Sequence, residues 1–132
     1  MPEINWLATV AAAIAAFGLG GVWYSPLLFG KAWQREAGVS DEAMKNGNMG
    51  VIFGGAFALT LLASVVFAFF LGPKPALPFA VGAGAAAGIA WVAAAFGINY
   101  LFERKSLTLF AINGGYNALL FTVIGLILGL WH

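Results

Sequence analysis

The polar side chains that could carry chemistry in this sequence are few and uncharged. Asn113, Tyr116 and Asn117 stand at positions i, i+3 and i+4, so they share one face of a helix. Such a face can line a pathway for a small neutral or weakly charged solute, because hydrogen-bonding groups can serve in a pore without charged side chains. Asn99 is a fourth candidate for this polar face. The alternative is that these side chains only form hydrogen bonds between packed helices.

The sequence offers no arrangement suited to catalysis or metal binding. It contains no Cys, and its one His is the last residue, His132. Zinc requires several ligands at recognisable spacing, and none is present. General acid–base catalysis needs convergent carboxylates, and spacing does not indicate convergence among Glu36, Asp41, Glu42 and Glu103. We therefore expect no enzyme activity, no metal and no cofactor.

The composition places the chain in a membrane. Of its 132 residues, 62% are hydrophobic and 8% are charged, and the mean hydropathy is +0.93. A soluble domain is about 45–50% apolar and roughly 25% charged, so this chain has too few charges to cover a water-soluble globule. The net charge of +1 provides no basic surface for nucleic acid.

Four stretches without Asp, Glu, Lys or Arg cover about residues 4–29, 49–72, 78–102 and 107–131. Each exceeds the roughly 20 apolar residues that a helix needs to cross a bilayer. The runs are continuously apolar and do not alternate as barrel strands do. We predict one all-α domain over residues 1–132, an integral membrane four-helix bundle. Because no carboxylate lies inside a span, proton-coupled transport is disfavoured.

Short matches between the spans suggest an internal repeat. Residues 15–18 (AAFG) recur at 94–97, and residues 54–59 (GGAFAL) resemble 114–119 (GGYNAL). These matches indicate either two helical hairpins repeated in parallel or a coincidence in an Ala/Gly-rich chain.

The distribution of basic residues predicts the orientation. Loop 30–48 and loop 103–106 hold five of the six Lys and Arg residues, namely Lys31, Arg35, Lys45, Arg104 and Lys105. The other connecting loop holds only Lys74. Since short basic loops stay in the cytoplasm, we expect these two loops inside and both termini outside.

The first loop also holds a group of residues typical of the membrane interface. Aromatic and basic side chains at a span end can anchor a helix at headgroup depth. This pattern predicts a headgroup or partner site formed by Trp23, Tyr24, Lys31, Trp33 and Arg35. The alternative is a simple kink at Pro26 that turns the first helix into the loop.

Three spans contain glycines four residues apart, a spacing that lets helix backbones approach closely in lipid. The pairs are Gly50 with Gly54, Gly84 with Gly88, and Gly125 with Gly129. Such faces predict a homo-oligomer, most simply a dimer. The alternative is that they serve packing within one chain.

The stretch WYSPLLFGKAW at residues 23–33 resembles a bacterial membrane-protein family described as a domain of unknown function, DUF1761. Residues 99–103 (NYLFE), 112–116 (INGGY) and 129–131 (GLW) extend the resemblance over essentially the whole chain. It implies four transmembrane helices in a bacterial cytoplasmic membrane, and it implies no particular activity. Members of the family often carry His where this chain has Asn117, so the resemblance implies no metal or proton role at that position.

Two functions are compatible with these features. The first, which we favour from the sequence, is a homo-oligomeric pathway or carrier for a small neutral or weakly charged solute. The second is an accessory membrane protein that binds lipids or another protein and transports nothing. A pathway requires water along the face of Asn113, Tyr116 and Asn117, whereas an accessory protein should have that face dry and packed.

Overall fold

The computed structural model describes residues 4–131, which form helices joined by short loops. Four of these helices are long and apolar enough to cross a membrane: Trp6–Trp23, Met49–Leu71, Leu77–Glu103 and Leu107–Leu130. We call them the first to the fourth span. They confirm the predicted all-α fold with four membrane spans. Residues 1–3 and His132 lie outside the described residues.

Polar side chains cap the starts of three spans. Asn5, Asn48 and Ser106 each accept a hydrogen bond from the backbone N–H three residues later, at 3.0, 3.2 and 3.0 Å. The third span instead begins at Leu77 with Pro78 in its first turn, where the missing N–H needs no partner. The local sequence therefore sets where each span begins.

The first span ends at Trp23, earlier than the predicted stretch 4–29. The Ser25 hydroxyl donates to the Val22 carbonyl at 2.7 Å, and Pro26 cannot continue the helix because its ring replaces the N–H. A helix resumes at Gly30–Ala37 and stops at Gly38, whose φ of 75° is left-handed. Ser40 then caps a second loop helix, Asp41–Asn46.

The bundle has two ends, which we name by their loops. The basic end carries residues 24–48 and 104–106, and the turn end carries residues 4–5, 72–76 and 131. All four spans contribute to one core in the half nearer the turn end, with buried residues that include Ala8, Ala12, Phe67, Ala68, Ala80, Ile124 and Leu128. The basic-end half therefore has less apolar packing and depends more on polar contacts.

The first span lies between the second and the fourth. The Ser64 hydroxyl of the second span donates to the Thr9 carbonyl at 2.8 Å, and Ala12 and Ala16 are fully buried. Towards the basic end the second span is mostly exposed over residues 49–59. There it meets the first span through Phe17, whose ring centroid is 6.3 Å from that of Phe53 and 5.5 Å from that of Phe57.

The third and fourth spans approach so closely that side chains would not fit between them. A Cβ atom on Gly84 would collide with the carbonyl of Phe121, and one on Gly125 with the carbonyl of Ala80. A Cβ atom on Gly88 would lie 2.6 Å from the Ala118 Cα. This hairpin packs backbone to backbone, unlike the first and second spans, which meet through Ser64 and Phe17.

The third span contains a π-helical segment, Ala87–Ala93. The small residues that face the fourth span are Gly84, Gly88, Ala93 and Gly97. Their spacing is four residues, then five across the π segment, then four again. Because a π turn holds more residues than an α turn, it keeps one continuous small-residue face against the fourth span on both sides of the segment.

Candidate functional site

Asn113 of the fourth span joins three spans near the basic end. The Tyr24 hydroxyl, at the end of the first span, donates to Asn113 Oδ1 at 2.6 Å. Asn113 Nδ2 in turn donates to the Tyr100 hydroxyl oxygen of the third span at 2.7 Å. We call Tyr24, Tyr100, Asn113, Tyr116 and Asn117 the Asn113 cluster.

Tyr116 adds a second link between the first and fourth spans. Its hydroxyl donates to the Ala16 carbonyl at 3.0 Å, and its ring centroid lies 5.4 Å from that of Tyr24 in an edge-to-face arrangement. Gly20 makes room for this hydroxyl, since a Cβ atom there would lie 2.7 Å from Tyr116 Oη. The small residue on the first span is thus matched to the tyrosine on the fourth.

Asn117 bonds within its own helix. Its Nδ2 atom donates to the Asn113 carbonyl one turn earlier, at 2.8 Å. Over residues 4–131 every fully buried side-chain nitrogen or oxygen has a hydrogen-bond partner. Since lipid offers no partner for an unpaired polar group, these bonds are what allow the cluster to exist at membrane depth.

The chemistry available to the Asn113 cluster is neutral hydrogen bonding. It contains no carboxylate, amine or imidazole, and so no ordinary general base. Among the described residues, no group of three His, Asp or Glu side chains could hold a metal ion. The arrangement is suited to fixing the relative positions of the first, third and fourth spans.

The sequence predicted part of this cluster. Asn113, Tyr116 and Asn117 lie on one half-buried face of the fourth span, as their spacing indicated. Asn99 is exposed on the third span. The partners Tyr24 and Tyr100 were not assigned to this face. The available signal was depth. Tyr100 and Asn113 flank loop 104–106, and Tyr24 stands where the first span enters the other loop of the basic end.

The family model described as Protein of unknown function (DUF1761) matches residues 7–129, nearly the whole chain. The chain belongs to the DUF1761 family. The resemblance found in the sequence is therefore confirmed. No curated protein and no solved structure is significantly similar to the chain. The function of this DUF1761 protein has to be inferred from its own residues.

The aromatic residues at the end of the first span and in the loop that follows pack onto the bundle of this DUF1761 protein. Trp23 Nε1 donates to the Ile112 carbonyl of the fourth span at 2.9 Å. The Trp33 ring lies edge-on to Tyr24, with centroids 6.0 Å apart. Of the residues predicted to form a headgroup site, Trp23 and Tyr24 thus bond to the fourth span, and Trp33 of the loop helix packs against Tyr24.

The basic residues of the same loop stay exposed. Lys31 Nζ lies 3.7 Å from Asp41 Oδ1, and Arg35 Nε lies 3.7 Å from Glu36 Oε2. Gln34 Nε2 also donates to Asp41 Oδ1 at 2.9 Å. The hydrogen bond from Gln34 and the charge of Lys31 lower the pKa of the Asp41 carboxyl below its ordinary value. Asp41 therefore carries its negative charge at neutral pH.

The three glycine pairs of the DUF1761 protein differ in their surroundings. The pairs in the third and fourth spans, Gly84/Gly88 and Gly125/Gly129, lie against each other's helices. In the second span, a Cβ atom on Gly54 would meet nothing within 4 Å, and one on Gly50 would meet only the nearby Asn48 side chain. This pair is thus open on the surface of the described chain.

Proposed function

We propose that this DUF1761 protein is a self-associating membrane protein that acts through contacts within the bilayer and conducts no solute. The proposal rests on the hydrogen bonds of the Asn113 side chain, which accepts from the Tyr24 hydroxyl at 2.6 Å and donates to the Tyr100 hydroxyl at 2.7 Å. The side chains of Asn113 and Tyr116 are bonded to neighbouring spans of the same chain, and that of Asn117 is bonded to its own helix. They serve as packing contacts, which corresponds to the dry face expected of an accessory protein.

The alternative is the homo-oligomeric pathway or carrier favoured by the sequence. A solute moving along the fourth span would have to replace the bond of Tyr116 to Ala16 and those of Asn113 to the two tyrosines. Asn99, the fourth residue of that hypothesis, is exposed on another face. These contacts favour the non-transporting role, and we assign the protein no catalytic activity, metal or cofactor.

Self-association is proposed to use the basic-end half of the second span. The Gly50/Gly54 pair lies there, in a segment that is exposed apart from the half-buried Phe57. Small residues four apart allow a second helix to approach closely, which favours association where lipid provides no hydrophobic drive. The simplest product is a two-fold dimer with this face at its centre.

The proposed location is a bacterial cytoplasmic membrane with the basic end inside. The basic end carries Lys31, Arg35, Lys45, Arg104 and Lys105, whereas the turn end carries Lys74. The positive-inside bias supports an orientation with loops 30–48 and 103–106 in the cytoplasm and both termini outside.

Cysteine cross-linking tests the self-association directly, because the chain has no native Cys. We expect a Val51→Cys variant, oxidised in native membranes, to give a disulfide-linked dimer as its main product. Val51 is exposed at 68% next to Gly50, so the substitution leaves both glycines and the fold of the monomer intact. The measurement is the dimer fraction on a non-reducing gel.

The matched control is Leu101→Cys on the third span. Leu101 is exposed at 81% and stands two residues from the basic end of its helix, as Val51 does. It should give only the low background that comes from random collisions. Equal cross-linking at both positions, or none at Val51→Cys, would contradict an interface centred on the Gly50/Gly54 pair.

A further inference from the structure

The first loop presents apolar and basic side chains side by side at the basic end. The turn at Pro26 leaves Leu27 exposed at 93% and Leu28 at 49%. The helix Gly30–Ala37 follows at once and carries two exposed cations, Lys31 and Arg35, one helical turn apart. Exposed leucines beside exposed cations match the boundary between acyl chains and phosphate groups.

The two cations border a shallow, open depression between the loop helices. Its lining is Lys31, Gln34, Arg35, Val39, Ser40 and Asp41. A phosphate group there could accept hydrogen bonds from the ammonium and the guanidinium together, and Arg and Lys are the side chains that bind phosphate best. We propose that Lys31 and Arg35 bind the phosphate of an anionic phospholipid headgroup, with Leu27 and Leu28 against its acyl chains.

Asp41 is the group that such a phosphate must displace. Its carboxylate pairs with Lys31 at 3.7 Å and accepts from Gln34 at 2.9 Å. A bound phosphate would take over Lys31 and would repel the carboxylate. Neutralising Asp41 should therefore strengthen binding, an effect opposite to that of neutralising either cation. This inference does not depend on self-association, since all of its residues lie in one loop.

The test is retention of phosphatidylglycerol by the purified full-length protein, measured by native mass spectrometry with phosphatidylcholine as the comparison lipid. A basic residue close to an anionic lipid headgroup contributes about a fivefold change in affinity, and in the purified protein only residues that contact the bound lipid have this effect. We expect Lys31→Gln and Arg35→Gln each to lower phosphatidylglycerol retention about fivefold, and Asp41→Asn to raise it. Phosphatidylcholine retention should not change.

Two further sets of variants distinguish a local lipid site from a general effect of charge and from a site for a free anion. Lys45→Gln and Lys105→Gln remove the same charge outside the depression and should leave retention nearly unchanged, whereas an equal loss would overturn the site.

Leu27→Ser should also lower retention. If it does not, or if inorganic phosphate displaces the lipid completely, the ligand is a free anion and the lipid site is wrong. If phosphatidylcholine is retained as well as phosphatidylglycerol, recognition of an anionic headgroup is wrong.

Discussion

Replacing Gly84 by alanine is expected to separate the third and fourth spans and to lower the free energy of unfolding by about 1–3 kcal/mol. The added Cβ atom would collide with the Phe121 carbonyl, which belongs to a helix backbone and cannot rotate away. Relief therefore requires the two helices to move apart along their whole contact. The measurement is reversible unfolding in mixed micelles with increasing sodium dodecyl sulfate.

Gly82→Ala is the matched control for this prediction. Gly82 lies on the same span two residues earlier, where an added Cβ atom meets nothing within 4 Å. Both substitutions improve helix propensity equally, so the difference between them isolates the contact with Phe121. An unfolding free energy that is the same in Gly84→Ala and Gly82→Ala would contradict the close approach of the two helices.

Replacing Asn113 by leucine should loosen the basic end of the bundle. Leucine has the same branched shape and number of side-chain heavy atoms but cannot form either bond, to Tyr24 or to Tyr100. Hydrogen bonds between membrane helices contribute about 0.6 kcal/mol each on average and at most about 1.7. We expect a loss of about 1–2 kcal/mol of unfolding free energy in the same micelle assay.

The control is Asn99→Leu, the same substitution on the third span. Asn99 is exposed and bonds to no side chain among residues 4–131, so its replacement should leave stability unchanged or slightly higher. A double-mutant cycle of Asn113→Leu with Tyr24→Phe should show a coupling energy, because the two residues share one bond. Additive effects of the two substitutions would show that this bond contributes nothing.

The positions of the spans followed from the sequence because charge is so unevenly distributed. Stretches 49–72, 78–102 and 107–131 agree within one or two residues with Met49–Leu71, Leu77–Glu103 and Leu107–Leu130. The caps at Asn48 and Ser106 account for two of these starts. The first span was predicted too long, because an apolar run such as residues 24–29 is compatible with either a helix or a membrane-embedded turn.

The contacts between spans could not be derived from the sequence. The glycine pairs were visible, but spacing alone does not tell which pair faces which helix. The π segment Ala87–Ala93 has no compositional signal, since it consists of the same small and apolar residues as its flanks. Without it, Gly88 and Ala93 do not share a face.

The contacts of the aromatic residues at the span ends could not be derived from the sequence either. Trp23 and Tyr24 have the composition and position of an interfacial belt. The two side chains turn toward the bundle because they donate to the fourth span, Trp23 to the Ile112 carbonyl and Tyr24 to the Asn113 side chain. Each acceptor lies 89 residues from its donor along the chain. Only the packing of the fourth span on the first brings these acceptors within reach.

The measurement that tests the non-transporting role most directly is water access to the fourth span at Asn117. This residue gives only a bond within its own helix, so Asn117→Cys preserves the contacts between spans. A membrane-impermeant thiol reagent would be added from each side, with Leu120→Cys as the buried reference and Lys45→Cys as the exposed one. We predict that Asn117→Cys is as unreactive as Leu120→Cys. Labelling of Asn117→Cys at a rate near that of Lys45→Cys would contradict this role and would favour a solute pathway.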